Sequence, residues 1–184
     1  LGEFDLDELA DRLQTQADAY DDANGPEVGV QPAFELVHGM ALCCQNEDNS
    51  FLGFLDDEIV EAYINAAQER GFAVVLDVQI GNLTPQEAMA RAFKWLKYDN
   101  VHLAFDPEFA MREPGQEKPG QPPGYVTAQE VNEVQQAMRD YMVENDIPGR
   151  RVLILHQFLL SMIKNKEELE QIYKVDMVIT ADGW

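Results

Sequence analysis

The chain is poor in almost everything that usually announces a function. It has two cysteines in 184 residues, and they are neighbours, Cys43 and Cys44. Adjacent cysteines seldom bridge to each other, and no CxxC or Cys/His ligand spacing is present, so neither a disulfide framework nor a structural zinc site is expected. The pair reads as ordinary loop or core residues. No apolar run approaches the about 18 residues of a membrane-spanning helix, so no membrane insertion of this domain is expected. No signal peptide is visible either, because Leu1 leads almost directly into a polar helical pattern. Basic residues are scarce, 13 against 34 acids, for a net charge of −21. A surface of that sign repels nucleic acid and anionic membranes, and both are set aside as partners. There is no internal repeat, and no local metal motif such as HExxH or DxDxDG.

What the chain does have is alternation. "DLDELADRLQTQADAY" (5–20) places Leu6, Leu9, Leu13, Ala17 and Tyr20 on one helical face. "EVGVQPAFELV" (27–37) reads as a strand, and "DDEIVEAYINAAQERG" as a helix closed by Gly71. "FAVVLDVQI" (72–80) is a strand, and "TPQEAMARAFKWLKY" a helix with Thr84, Pro85 and Glu87 forming a capping box. "VHLAFDPEF" (101–109) is a strand followed by "MREPGQEKPGQPPG" (111–124), a long segment rich in Pro and Gly. A second capped helix starts at Thr127 with Glu130 at its third position. "RRVLILHQF" (150–158), the short helix "KNKEELEQIY" and the strand "VDMVITADGW" (175–184) complete the chain.

Alternation of this kind implies parallel strands joined by right-handed crossovers. About five strands are visible, whereas a (β/α)8 barrel has eight in about 250 residues. The expected fold is therefore α/β, a single TIM-type (β/α) barrel domain over 1–184 that is partial and lacks its first and last strands. An open doubly wound parallel sheet is the alternative. Parity favours the barrel, because a strand in a doubly wound sheet is covered on both faces and should be apolar on both. Here Val28, Val30, Phe34 and Leu36 oppose Gln31, Ala33 and Glu35, and Val74, Leu76, Val78 and Ile80 oppose Val75, Asp77 and Gln79. Val101, Leu103 and Phe105 oppose His102, Ala104, Asp106 and Glu108, while Met177, Ile179 and Ala181 oppose Val178, Thr180 and Asp182. One face of each strand turns polar toward its C-terminal end, where barrel enzymes keep their active sites.

The convergent set is Glu35, Asp77, Gln79, Asp106, Glu108, Asp182 and one of His156 and Gln157, with Arg112 the only base close by in sequence. Crowded carboxylates repel, so at least one should keep its proton near neutral pH. A protonated acid beside an ionised one is the machinery of glycoside hydrolysis. Asp106 and Glu108, two residues apart on one strand, have Cα atoms roughly 6.5–7 Å apart, within reach of the about 5–5.5 Å carboxyl spacing of a retaining pair. The expected roles are Glu108 and Asp106 catalytic, with Glu35, Asp77, Gln79, His156, Gln157 and Asp182 binding substrate. No resident cofactor is expected. A divalent cation held by Asp77, Asp106, Glu108, Asp182 and His156 is the alternative, and would make the protein a metal-dependent hydrolase.

Each residue also has a structural role open to it. Asp106 or Glu108 could cap a following helix or pair with Arg112. His102 reads as a satisfied core histidine, His38 as loop surface and Trp95 as packing. Trp184 and Tyr125 are candidates for substrate contact.

The run "VVLDVQIG … VHLAFDPEFAM … EVNEVQQ … VLILHQF … VDMVITADGW" resembles a family of uncharacterised bacterial proteins, often exported or lipoprotein-like, with a barrel-type domain. That resemblance implies a barrel and an extracellular or cell-surface location. The Asp106-x-Glu108 pair with Glu35 on an early strand is more loosely similar to the lysozyme-type family-25 glycoside hydrolases. The reading is a glycoside-hydrolase-like enzyme acting on a cell-envelope or other polysaccharide, its partner a carbohydrate or other small molecule. A non-catalytic carbohydrate- or cation-binding module of the cell envelope is the competing class.

Overall fold

The computed structural model describes residues 3–181 of the chain. The elements alternate as the sequence implies. The helix α1 (Leu6–Asn24) leads into β1 (Ala33–Ala41), β2 (Leu52–Phe54), α2 (Asp57–Arg70), β3 (Ala73–Gln79), α3 (Pro85–Ala90) and β4 (Val101–Asp106). The short β5 (Val126–Thr127), α4 (Ala128–Glu144), β6 (Arg151–Gln157), the short β7 (Ile163–Lys164) and β8 (Val175–Ala181) follow. No described helix is long and apolar enough to cross a membrane.

Helix starts follow from local chemistry. Asp5 accepts a hydrogen bond from the Glu8 N–H at 2.8 Å and opens α1. Both expected capping boxes form, Thr84 with Glu87 and Thr127 with Glu130. Each satisfies two backbone donors that would otherwise lack a partner. Gly71 ends α2 in the left-handed conformation, at φ 72°.

The fold is mixed α/β: a six-stranded, mostly parallel sheet of order β2-β1-β3-β4-β6-β8, flanked by helices. Only β2 runs antiparallel, as a hairpin partner to the end of β1. The five parallel strands lie in the order in which the chain makes them. A doubly wound sheet reverses that order at a switch point, and no reversal occurs here. The sheet does not close on itself within the described residues, where β2 and β8 are its edges.

One parity of every parallel strand enters a single apolar core. Phe34, Leu36, Val74, Leu76, Val78, Val101, Leu103, Phe105, Leu153, Leu155 and Val175 pack there with Val60 and Ile64 of α2 and Val131, Val134 and Met138 of α4. The opposite parity stays outside that core. It carries Glu35 and Val37 on β1, Val75 and Asp77 on β3, His102, Ala104 and Asp106 on β4, Ile154 and His156 on β6, and Val178 and Thr180 on β8. Helices therefore cover one face of the sheet, and the other is the face that bears the polar strand ends.

Several boundaries differ from the sequence reading. The first strand starts at Ala33 and runs on to Ala41, because Gly29 and Pro32 keep the preceding residues out of the ladder. The single helix expected after Thr84 is α3 followed by a separate 3-10 turn, Phe93–Lys97. "KNKEELEQIY" forms only one 3-10 turn, Lys166–Glu168, preceded by Asn165 in the left-handed region.

Candidate functional site

Asp106 is the last residue of β4, and Pro107 ends the strand there. Residues Pro107–Phe109 form a 3-10 turn whose N-cap is Asp106: its Oδ1 accepts the Glu108 N–H at 2.9 Å. Asp106 and Glu108 therefore do not share a strand face. The two-residue spacing expected of them is corrected: Glu108 sits on a turn above the strand end, and Asp106 performs the capping role that was the alternative for it. The turn is buttressed by the end of the long segment, where the Gly124 N–H donates to the Glu108 carbonyl at 2.6 Å. Any side chain at Gly124 would collide with the carbonyls of Ala110 and Pro107, so only glycine lets this segment come so close. Burial, and next the charge of Asp106, raise the Glu108 carboxyl above its ordinary value.

Deeper on the same face lies Asp77, only 5% exposed, with Oδ1 lacking any hydrogen-bond partner. Burial pushes its carboxyl up to about 7; Asp106 and Glu35 push the same way, and His156 pulls against them. Asp77 is consequently a proton-bearing acid near neutral pH, surrounded by the other polar residues of the face.

His156 on β6 reaches Glu35 on β1, Nε2 to Oε1 at 3.1 Å, and its Nδ1 lies 3.3 Å from Thr180 Oγ1 on β8. Two strands, β3 and β4, separate β1 from β6. In a flat sheet three strand spacings put those backbones about 14 Å apart. The side chains meet because this face is concave. The curvature brings Glu35, Asp77, Asp106, His156 and Thr180 from five strands near one another on the concave face, with Glu108 on the turn at its rim.

Other expected site residues are placed elsewhere. Gln79 uses Oε1 to accept the Ala41 N–H at 2.6 Å, patching the ladder beside the register shift between Val37 and Gly39. Gln157 points to the helix side of β6 and is buried; it donates to the Leu159 carbonyl at 3.2 Å and accepts from Lys166. Of the pair at the end of β6, His156 is thus the residue on the concave face. Asp182 and Trp184 lie outside the described residues. Arg112 pairs with Glu130 at 2.8 Å rather than with Asp106 or Glu108. Tyr125 is occupied by Lys164, whose Nζ sits 3.1 Å from the ring centre.

His102 is satisfied, as expected: its Nδ1 accepts the Val152 N–H at 3.1 Å. His38 is a correction. It is buried on the helix side of β1 between Phe54 and Trp95, with neither ring nitrogen hydrogen-bonded. Burial, with Lys94 nearby, lowers its pKa to about 4. Thr180 is the concave-face residue that parity placed on the lumen side without a role; a hydroxyl one strand over from a histidine was the available signal.

Among the described residues, no group of three or more His, Cys, Asp or Glu side chains is placed to share a metal ion. Comparison of the chain with family models, curated proteins and solved structures gives no match.

Proposed function

We propose that the protein is a glycoside-hydrolase-like enzyme, with its site in the lumen of a (β/α) barrel-type wall. The barrel reading is supported by the unreversed order of the parallel strands, the one-sided helix cover and the concave polar face at the C-terminal strand ends. The observation that carries the chemistry is Asp77, a buried acid with a free carboxylate oxygen and a pKa pushed up to about 7. Such a group keeps a proton at the pH where exposed carboxylates have lost theirs.

Glu108, at the rim and also raised, is the general acid that protonates the leaving glycosidic oxygen. Asp106, its carboxylate oriented by the capping bond, faces positive charge developing at the sugar carbon. Asp77 beneath them stays partly protonated near neutral pH, which keeps the site from carrying a full set of negative charges. Glu35 and His156 form the opposite wall. The substrate class is a neutral or amino-bearing polysaccharide, of which cell-envelope glycans are the first to try, since an acidic hollow repels anionic polymers.

The test is reducing-end release from a panel of polysaccharides by the wild type, Glu108→Gln and Asp106→Asn, with binding measured in parallel. Loss of an acid–base group should cost about 10²–10⁴-fold in turnover while affinity is kept. Unchanged hydrolysis by Asp106→Asn rules out the assignment. Binding without turnover by the wild type replaces the enzyme by a binding module.

A further inference from the structure

Cys43 and Cys44 follow β1 after one intervening residue, in the connection to β2, and both are exposed as free thiols. That is unusual for cysteine, which is among the most buried residue types. Their sulfurs lie 3.2 Å apart, so both side chains turn to the same side of the peptide that joins them.

The connection that presents them is held in one shape. The Leu42 N–H donates to the Phe51 carbonyl at 2.8 Å, just before the pair. Asn46, just after it, donates to Ser50 Oγ and the Leu52 carbonyl, and accepts the Phe51 N–H at 2.9 Å. Asp48 accepts the Ser50 N–H at 3.0 Å and pairs with Arg91 at 2.9 Å. The Asn82 N–H donates to the Ser50 carbonyl at 2.8 Å and ties the loop to the end of β3. These bonds anchor the loop on both sides of the pair, whose two sulfurs touch each other, with the Lys118 charge also acting on Cys44.

We propose that Cys43 and Cys44 are a two-electron thiol–disulfide site whose oxidant is a low-molecular-weight disulfide. One of the two thiolates attacks one sulfur of that disulfide, forming a mixed disulfide and expelling the first small thiolate. The other cysteine's sulfur then gives up its proton and attacks the first, expelling the second small thiolate and closing the bond between the two cysteines. Both protein thiol protons end on the two released thiols, which take up the two electrons. Closure moves the sulfurs from 3.2 Å to a bond of about 2.05 Å. The neighbouring Cα atoms are fixed about 3.8 Å apart by a trans peptide, closer than the about 4.4–6.8 Å of ordinary disulfides. The oxidised pair is accordingly strained and easily reduced, which suits a reversible site rather than a structural staple.

The test uses the full chain, fully reduced, exposed to oxidised glutathione and followed by intact mass. Wild type should lose the mass of two hydrogens, carry no glutathione at the end point and return to its starting mass with dithiothreitol. Cys44→Ser and Cys43→Ser should each stop at one glutathione adduct. Because both side chains are exposed, serine at either position leaves the core untouched. A wild type that ends as a stable glutathione adduct or a covalent dimer overturns the site, as does one that fails to react.

Discussion

Glu35 on β1 and His156 on β6 bring Oε1 and Nε2 to 3.1 Å across a sheet in which two other strands lie between them. The contact measures how far the sheet is curled, and it separates function from stability. Glu35 is half-exposed, so the pair should contribute only about 0–1 kcal/mol to folding. Glu35→Gln should leave the urea midpoint within that range while lowering turnover on any polysaccharide the wild type hydrolyses. A large loss of stability would mean that the contact holds the curvature rather than the site.

Asp77 should make stability fall as pH rises. Below 3.8 both folded and unfolded chains hold its proton; between 3.8 and about 7 only the folded chain does, so ionisation favours the unfolded state across that window. At about 1.4 kcal/mol per tenfold the whole effect is on the order of 4 kcal/mol. Asp77→Asn, which mimics the protonated acid, should match wild type near pH 4 and exceed it above pH 7 in urea unfolding. Parallel pH profiles for the two proteins would remove Asp77 as the proton-bearing group.

His38 works in the opposite sense. Above 6.5 the imidazole is neutral in both states; between 6.5 and about 4 the unfolded chain takes a proton that the folded chain refuses, so stability is lost as pH falls. The effect is on the order of 3 kcal/mol. His38→Leu should flatten the acid side of the profile and cost little at pH 7, since it removes two buried nitrogens that have no partners. In the wild type, the His38 ring signals should stay unshifted by NMR from pH 8 down to about 5.

Thr127→Ala should destabilise the protein by about 1 kcal/mol through loss of the α4 capping box. It also loosens Glu130, which loses the threonine hydroxyl at 3.0 Å, keeps only the backbone N–H at 2.8 Å and carries the ion pair to Arg112. Proteolysis within 111–124 should therefore quicken in this variant, whereas Thr84→Ala, at the other capping box, should leave that segment's cleavage unchanged.

Parity exposed the concave face because a strand's side chains alternate whatever lies around it. It placed Glu35, Asp77, Asp106 and Thr180 correctly, and it failed where alternation stops. Pro107 takes Glu108 off the strand, and the Asp-Pro-Glu sequence is itself a cap followed by a first-position proline, the same signal that starts α3 at Thr84-Pro85. His38 lies just past the expected strand end at Val37 and so reads as loop, whereas the strand runs on to Ala41 and Phe34, Leu36 and His38 continue one apolar face. At β6 the buried parity, Arg151, Leu153, Leu155 and Gln157, assigns His156 to the other side once the strand's start is fixed. The curvature that joins Glu35 to His156 had no local signal, since it is a property of four strands together.

The strand order also bears on how the chain reaches this shape. Each parallel strand hydrogen-bonds to the one made just before it, so no later strand has to be inserted between two that are already paired. A nascent chain can assemble the sheet by growth at a single edge, β1 to β8, as each strand emerges during synthesis. Every addition closes a loop of only moderate length, which keeps the entropic cost of each step small.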